Sequence, residues 1–382
     1  MRSRRLHLGF IGGGLSSSIG KIHFISSQLD GRWAVVAGFF SRNKEVNIKT
    51  ANEWNIDERR TYDSIQKFID AESNKLDAVV VLSPPSDHYE IISLLVEKKV
   101  PIICEKPLAA TLEDSLLIQE VLDKSSNFFA MTYNYSGYPM IRELRDLIQN
   151  NIFGQLTKIH IEIPQEGFVR VNSQTGKVNR PKKWRLVDNF IPTICLDLGI
   201  HLHHLSYFLT GKEPINIMGN FSNYSDYKKI VDDVMVWAEY QDGMKANFWM
   251  SKTALGNRNG LKVRIYGTKC AAEWLQTDPE NLHIAFKDGT KIIKDRASPA
   301  NICNQDRYNR YIPGHPSGFI EAFANLYSDI ANSLTLFNNG KKSTEGFVYD
   351  MRHAVGGMNF LSAISRSNDL KKWVKFNDRR SG

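Results

Sequence analysis

The sequence predicts an α/β chain in two parts: an N-terminal doubly wound parallel sheet, then an α+β domain with a large, mainly antiparallel sheet. Three observations predict it. Up to residue 135, short and nearly unbroken apolar runs alternate with longer amphipathic segments, as in a parallel sheet covered on both faces. From about Tyr138 the strands lengthen and alternate polar with apolar, as in a sheet with one solvated face. The length, 382 residues, suits two domains at roughly 150 residues each. The domains are placed at 1–135 and 136–382.

In the first part the runs 6–11, 33–38, 77–82, 101–104 and 128–131 read as strands. The segments 19–29, 44–54, 63–70, 87–98 and 112–122 read as the helices between them. In the second part a helix over 140–150 precedes strands at 156–163, 215–221, 233–240, 244–249, 261–266 and 271–275. The Asp242-Gly243 pair marks a hairpin turn. Further helices are expected over 196–209, 319–334 and 346–367.

Composition narrows the function. An apolar fraction of 42% with 24% charged residues excludes low-complexity disorder. No apolar run approaches the ~20 residues of a membrane helix, so no membrane partner is expected. The basic start, Met1-Arg2-Ser3-Arg4-Arg5, lacks the apolar core and cleavage site of a secretory signal. Cys104, Cys195, Cys270 and Cys303 have no CxxC spacing and read as reduced thiols of a cytoplasmic protein, not as a zinc site or disulfide framework. The +8 charge helps anionic ligands arrive, but the basic residues are scattered, and no nucleic-acid partner is expected.

The first strand runs into Gly12-Gly13-Gly14-Leu15-Ser16-Ser17-Ser18-Ile19-Gly20 and then a helix. A dinucleotide site of the Rossmann kind needs glycine there, for a tight turn and close backbone approach to a pyrophosphate at a helix N-terminus. Gly12 and Gly14 fit those roles; Ser17 stands where the third glycine is usual, and Gly20 takes its place if the loop is three residues longer. The second strand ends in Gly38-Phe39-Phe40-Ser41-Arg42-Asn43-Lys44, with no carboxylate for a ribose 2′-hydroxyl. Ser41 and Arg42 suit a 2′-phosphate, so NADP is favoured, with NAD as the alternative.

Three further motifs follow in order: Ser83-Pro84-Pro85-Ser86-Asp87-His88, then Glu105-Lys106-Pro107, then Asp197-Leu198-Gly199-Ile200-His201. Over nearly its whole length the chain resembles the glucose–fructose oxidoreductase, inositol dehydrogenase and MocA (Gfo/Idh/MocA) family. The resemblance implies hydride transfer between a nicotinamide and a ring carbinol or ketone of a sugar, cyclic polyol or nucleotide sugar. It makes Lys106 the group at the reacting oxygen and the nicotinamide ribose, His201 the acid/base, and Asp197 the residue that orients it or binds a substrate hydroxyl. Glu105 would lie beside the cofactor, with Ser83 and Pro84 shaping the loop against the nicotinamide. His88 either closes on the adenosine side or simply begins a helix. A neutral-range imidazole suits the hydroxyl proton, and a lysine suits a developing alkoxide.

Substrate contacts are expected from Tyr133, Asn134 and Tyr135 at the exit of the last parallel strand, and from Trp184, Arg185, His204 and His315. His204 stands where the family often carries an aspartate. No metal site is expected from the His201–His204 cluster. A homo-oligomer, dimer or tetramer, is expected through the outer face of the large sheet, with Trp237, Phe248 and Trp249 as candidates; alternation lets only one of the last two face outward. Two rival readings are a dinucleotide-binding regulator and an NAD-dependent glycosidase of the same family.

Overall fold

Apolar runs and amphipathic stretches alternate through residues 6–131, and they form strands and helices in the expected order. These are β1 (Leu6–Gly12), α1 (Gly20–Gln28), β2 (Trp33–Phe39), α2 (Lys44–Glu53), α3 (Ile65–Glu72), β3 (Ala78–Leu82), α4 (His88–Glu97), β4 (Ile102–Cys104), α5 (Leu112–Asp123) and β5 (Phe129–Met131). The structure, a computed structural model, describes residues 4–178, 180–341 and 346–377. The five strands are parallel and lie in the order β2-β1-β3-β4-β5. The order reverses between β1 and β3, and open α/β sheets take ligands at the carboxyl ends of the strands at such a point. β3 is buried at every residue, which explains its unbroken apolar sequence.

The chain divides into two compact units, Met1–Gly137 with Gly318–Met358, and Tyr138–Ser317 with Asn359–Gly382. Helix α8 (Phe319–Asn338), expected with the second domain, therefore belongs to the first unit. Its apolar side explains the placement. Phe323, Leu326, Tyr327, Ile330 and Leu334 share one buried cluster with Leu8, Phe10, Trp33 and Val80. Trp33 also donates its indole N–H to the Tyr327 carbonyl at 2.9 Å.

The second unit holds α6 (Pro139–Gln149), β6 (Leu156–Pro164), α7 (Ile200–Thr210), β7 (Asn216–Ser222), β8 (Asp233–Glu239), β9 (Lys245–Ser251), β10 (Lys262–Gly267), β11 (Cys270–Leu275), β12 (Asp278–Phe286) and β13 (Lys291–Lys294). Helix α9 (Met351–Leu370) spans the division, and β14 (Val374–Lys375) follows it. Among the described residues the sheet has nine strands in the order β13-β12-β11-β10-β6-β9-β8-β7-β14; only β6 and β9 pair in parallel. Strands β12 to β14 escape sequence reading. β12 opens on Asp278-Pro279-Glu280-Asn281, and β13 is a short, largely exposed edge. Helix α9 starts at Met351, five residues later than expected, while α7 is preceded by a π-turn over Cys195–Gly199.

On the inner face of this sheet α7 and α9 pack tightly. A Cβ on Gly199 would lie 2.8 Å from the Leu361 side chain, and one on Gly219 would lie 2.7 Å from Ile364. Phe248 points into this core, while Trp237 and Trp249 stand on the opposite face with Met235. Among the buried histidines are His88 in the first unit and His204 in the second. His88 places Nδ1 3.0 Å from the Leu108 carbonyl and Nε2 3.1 Å from the Ser83 carbonyl. Burial lowers its pKa, against the upward pull of both carbonyls and of Glu105 and Asp87. Burial also pushes His204 well below the usual histidine range, helped by His201, His203 and Arg145.

This burial makes a prediction about acid. A histidine whose folded pKa is depressed stabilises the fold above the unfolded value, near 6.5, and that stability is lost as pH falls below it. Each of the two should cost roughly 1.4 kcal/mol per pH unit below 6.5 until it protonates in place. Urea unfolding at pH 7.5 and 5.5 should show clearly lower stability at 5.5. Equal or greater stability at 5.5 contradicts the buried neutral histidines.

Candidate functional site

The glycine turn after β1 leaves no room for side chains. Gly12 and Gly13 have φ of 83° and 75°. A Cβ on Gly12 would lie 2.9 Å from the backbone of Leu82 and Ser83, and one on Gly14 would lie 2.9 Å from the Phe40 carbonyl. Gly20, not Ser17, makes the close helix–strand contact: its Cβ would lie 1.6 Å from the Gly13 oxygen. Ser17 braces the turn before the helix instead, its hydroxyl accepting the N–H groups of Ile19 at 3.3 Å and Gly20 at 3.2 Å. Thr50 ties the turn to α2 by accepting the Leu15 N–H at 3.1 Å.

Two buried polar atoms along the carboxyl edge of this sheet have no hydrogen-bond partner among the described residues: the Ser83 hydroxyl after β3 and the Asn134 amide nitrogen after β5. Buried polar groups are seldom left so. The first turn of α1 carries no carboxylate. A close-packed glycine turn, a helix N-terminus and two orphaned polar atoms on one edge fit a dinucleotide.

At the end of β2 the Ser41 hydroxyl accepts the Asn43 N–H at 3.1 Å, and the Asn43 side chain caps α2 through the Val46 N–H, also at 3.1 Å. The Arg42 guanidinium is ion-paired with Asp87. Pro84 leads into the short 3-10 turn Pro85–Asp87 that starts α4. His88, one residue on, sets its ring nitrogens against the carbonyls of Leu108 and Ser83, one of which a neutral ring bonds, so its placement is that of a structural tie between loops.

The Glu-Lys-Pro segment leaves β4, with the Glu105 N–H donating to the Val81 carbonyl at 3.0 Å and a cis peptide between Lys106 and Pro107. Glu105 is buried. Its carboxylate accepts from the Thr132 hydroxyl and lies 3.5 Å from Nε2 of His23, whose Nδ1 meets the Tyr327 hydroxyl at 2.8 Å. Burial would raise the Glu105 pKa, but His23, Lys106 and Thr132 hold it below the usual value. Tyr133 and Tyr135, just after Thr132 in sequence, are buried, Tyr133 edge-on to His353 and Tyr135 against Phe319.

In the second unit the Asp-x-Gly-x-His segment starts in the π-turn, a feature frequent at functional sites, and runs into α7. The glycine is there for packing, as Leu361 and Met250 leave no space for a Cβ on Gly199. Asp197 accepts from Lys252 at 2.7 Å and from Arg185 at 3.1 Å. Lys252 is only 6% exposed and also reaches the Gln165 side chain at 2.7 Å. Arg185 lies over the Trp184 ring at 4.6 Å, and that ring is 52% exposed, not core. His201 and His204 are both buried on α7, and His203 pairs with Glu213 at 2.8 Å. His315 sits in an exposed turn whose carbonyl is held by the buried Arg296 at 2.6 Å.

Sequence reasoning missed Lys252, Gln165, His23 and Thr132. Lys252 follows β9 and Gln165 follows β6; only the pairing of those two strands brings them to Asp197. His23 sits in an unremarkable helix and acquires its partners from β4 and α8.

Comparisons with known proteins bear on the family and the fold. A family model described as "Oxidoreductase family, NAD-binding Rossmann fold" matches residues 6–133, and one described as "GFO/IDH/MocA C-terminal domain" matches residues 141–273. The chain is 27% identical to the uncharacterized oxidoreductase YfiI of Bacillus subtilis, over 98% of both chains. It is 24% identical to inositol 2-dehydrogenase of Rhizobium meliloti, over 74% of this chain and 80% of that one. A crystal structure of an oxidoreductase from Sinorhizobium meliloti superposes with a TM-score of 0.85 at 29% identity, covering 98% of this chain and 100% of that one. With both family domains matched in order, and the Glu-Lys-Pro and Asp-x-Gly-x-His segments in the places just described, the chain belongs to the Gfo/Idh/MocA family of oxidoreductases.

Proposed function

We propose that the chain is an NADP-preferring dehydrogenase or reductase for a ring carbinol of a sugar, cyclic polyol or nucleotide sugar. The observation that carries this reading is the state of Asp197. A carboxylate one turn before a buried histidine is fixed by two cations, Lys252 and Arg185. Such fixed charge is what positions a proton-transfer group. The activity of the inositol 2-dehydrogenase relative points to the same substrate class.

Gly12, Gly14 and the α1 N-terminus, with Ser17 in the turn before it, would hold the pyrophosphate. The orphaned hydroxyl of Ser83 and the Pro84 turn would line the nicotinamide side, and Ser41 with Arg42 would read a 2′-phosphate. A bound nicotinamide supplies the hydride acceptor or donor. Lys106 polarises the substrate oxygen and stabilises the alkoxide, with Glu105 fixed behind it by Thr132 and His23. His201 takes the hydroxyl proton on oxidation and returns it on reduction. Asp197 positions His201. Asn134, with its orphaned amide, and the exposed Trp184, whose face suits a pyranose, are substrate contacts, alongside Tyr133, Tyr135, Arg185, His204 and His315. The same proposal includes a cytoplasmic homo-oligomer, dimer or tetramer, with Met235, Trp237 and Trp249 on the sheet face offered to the partner.

A sugar and polyol screen with NADP and NAD, read at 340 nm, tests the activity. Lys106→Ala and His201→Ala should abolish turnover of whichever substrate emerges while leaving dinucleotide affinity within about tenfold, roughly 1.4 kcal/mol. Substantial turnover in His201→Ala contradicts its proton-transfer role. Hydrolysis of a glycoside with no net reduced cofactor would favour the glycosidase reading. For the assembly, Trp237→Glu should lower the mass seen by light scattering to that of a smaller oligomer, and an unchanged mass contradicts that face.

A further inference from the structure

The ion pair between Arg42 and Asp87 has an unusual span. Arg42 follows β2 and Asp87 follows β3, while the sheet order puts β1 between those strands. The pair therefore reaches across the carboxyl end of β1, where the chain turns at Gly12 and Gly13. A contact in that position borders the ground a dinucleotide occupies.

We infer that Asp87 is a specificity-determining residue for the dinucleotide, opposing a 2′-phosphate at Arg42 and serving a free ribose 2′-hydroxyl. This rests on the reading of Ser41 and Arg42 as the 2′-phosphate end. The run 38–44 has no carboxylate, so the acidic group that NAD sites place at the end of β2 is missing from that strand. Asp87 supplies a carboxylate to the same neighbourhood from the β3–α4 turn.

The energetics make the pair a balance and not a lock. Arg42 is 75% exposed and Asp87 29%, and an ion pair this wet contributes little. A phosphate can take over the guanidinium with two parallel hydrogen bonds. Asp87 does not leave when that happens. Its backbone begins α4, with no side-chain cap hydrogen bond; its second oxygen accepts from the Ser86 hydroxyl at 3.1 Å, and its N–H donates to the Pro84 carbonyl at 2.9 Å. The 2′-phosphate, near −2 in charge, would then bind beside a fixed negative charge. A 2′-hydroxyl would meet an acceptor instead, and the Arg42–Asp87 pair would persist.

The test is the ratio of dissociation constants for NADPH and NADH, read by quenching of tryptophan emission. The proteins are the full-length chain, Asp87→Asn, Arg42→Ala and the double variant. Asp87→Asn should shift the ratio toward NADPH by about fivefold. The shift should shrink at high salt and be at least halved without Arg42. Asp87→Ser also removes the charge and should give the same shift; Asp87 makes no side-chain cap hydrogen bond to α4, so neither variant removes a cap. An unchanged ratio in both Asp87 variants, or a shift toward NADH, overturns the proposal, and so does a shift undiminished in the Arg42→Ala background. Equal loss of both cofactors in Arg42→Ala overturns the 2′-phosphate reading itself, which separates the two failures.

Discussion

Helix α1 begins in direct contact with the turn it follows: Gly20 sits so close to the Gly13 carbonyl that a Cβ would fall 1.6 Å from its oxygen. That contact fixes the position of α1 on the sheet, and much of the first unit depends on it. Helix α8 packs on α1, so the C-terminal segment is placed by the same turn. His23, one turn into α1, then meets Tyr327 of α8 at 2.8 Å and Glu105 beyond β4 at 3.5 Å. The turn suited to a pyrophosphate and the segment carrying Lys106 are thus linked through one helix. Any residue larger than glycine at position 20 would move α1 and disturb both.

The buried Glu105 and the half-buried Asp197 meet a similar electrostatic problem in different ways. A buried carboxylate costs several kcal/mol unless it is paired and hydrogen-bonded. Glu105 is offset by the Thr132 hydroxyl and the His23 ring, with Lys106 next to it in sequence. Asp197 is offset by full charges, Lys252 and Arg185, and the lysine is itself held by Gln165. Both arrangements leave the carboxylate fixed before any ligand arrives. Preorganised charge of this kind favours a transition state over the ground state.

What was legible in the sequence were features set by neighbours along the chain. The strand–glycine turn–helix start was read down to Gly20 in place of the third glycine, because turn geometry is local. β3 was legible because burial on both faces leaves an unbroken apolar run. What escaped depends on pairing across long separations. The Arg42–Asp87 pair joins residues 45 apart, and Lys252 reaches Asp197 across 55. Helix α8 is amphipathic wherever it packs, so its sequence did not say that its apolar side completes the first unit. The π-turn before α7 escaped for the same reason, since Gly199 is set by Leu361 and Met250 and not by its neighbours in sequence.

The central claim is that the β1–β3 edge of the first unit holds a nicotinamide dinucleotide. The most direct measurement is calorimetric titration of the purified full-length chain with NADPH and with NADH, alongside a search for cofactor released on denaturation. The account predicts saturable binding of both at one site per chain, with NADPH the tighter. Binding of neither, with no dinucleotide released on denaturation, would contradict it.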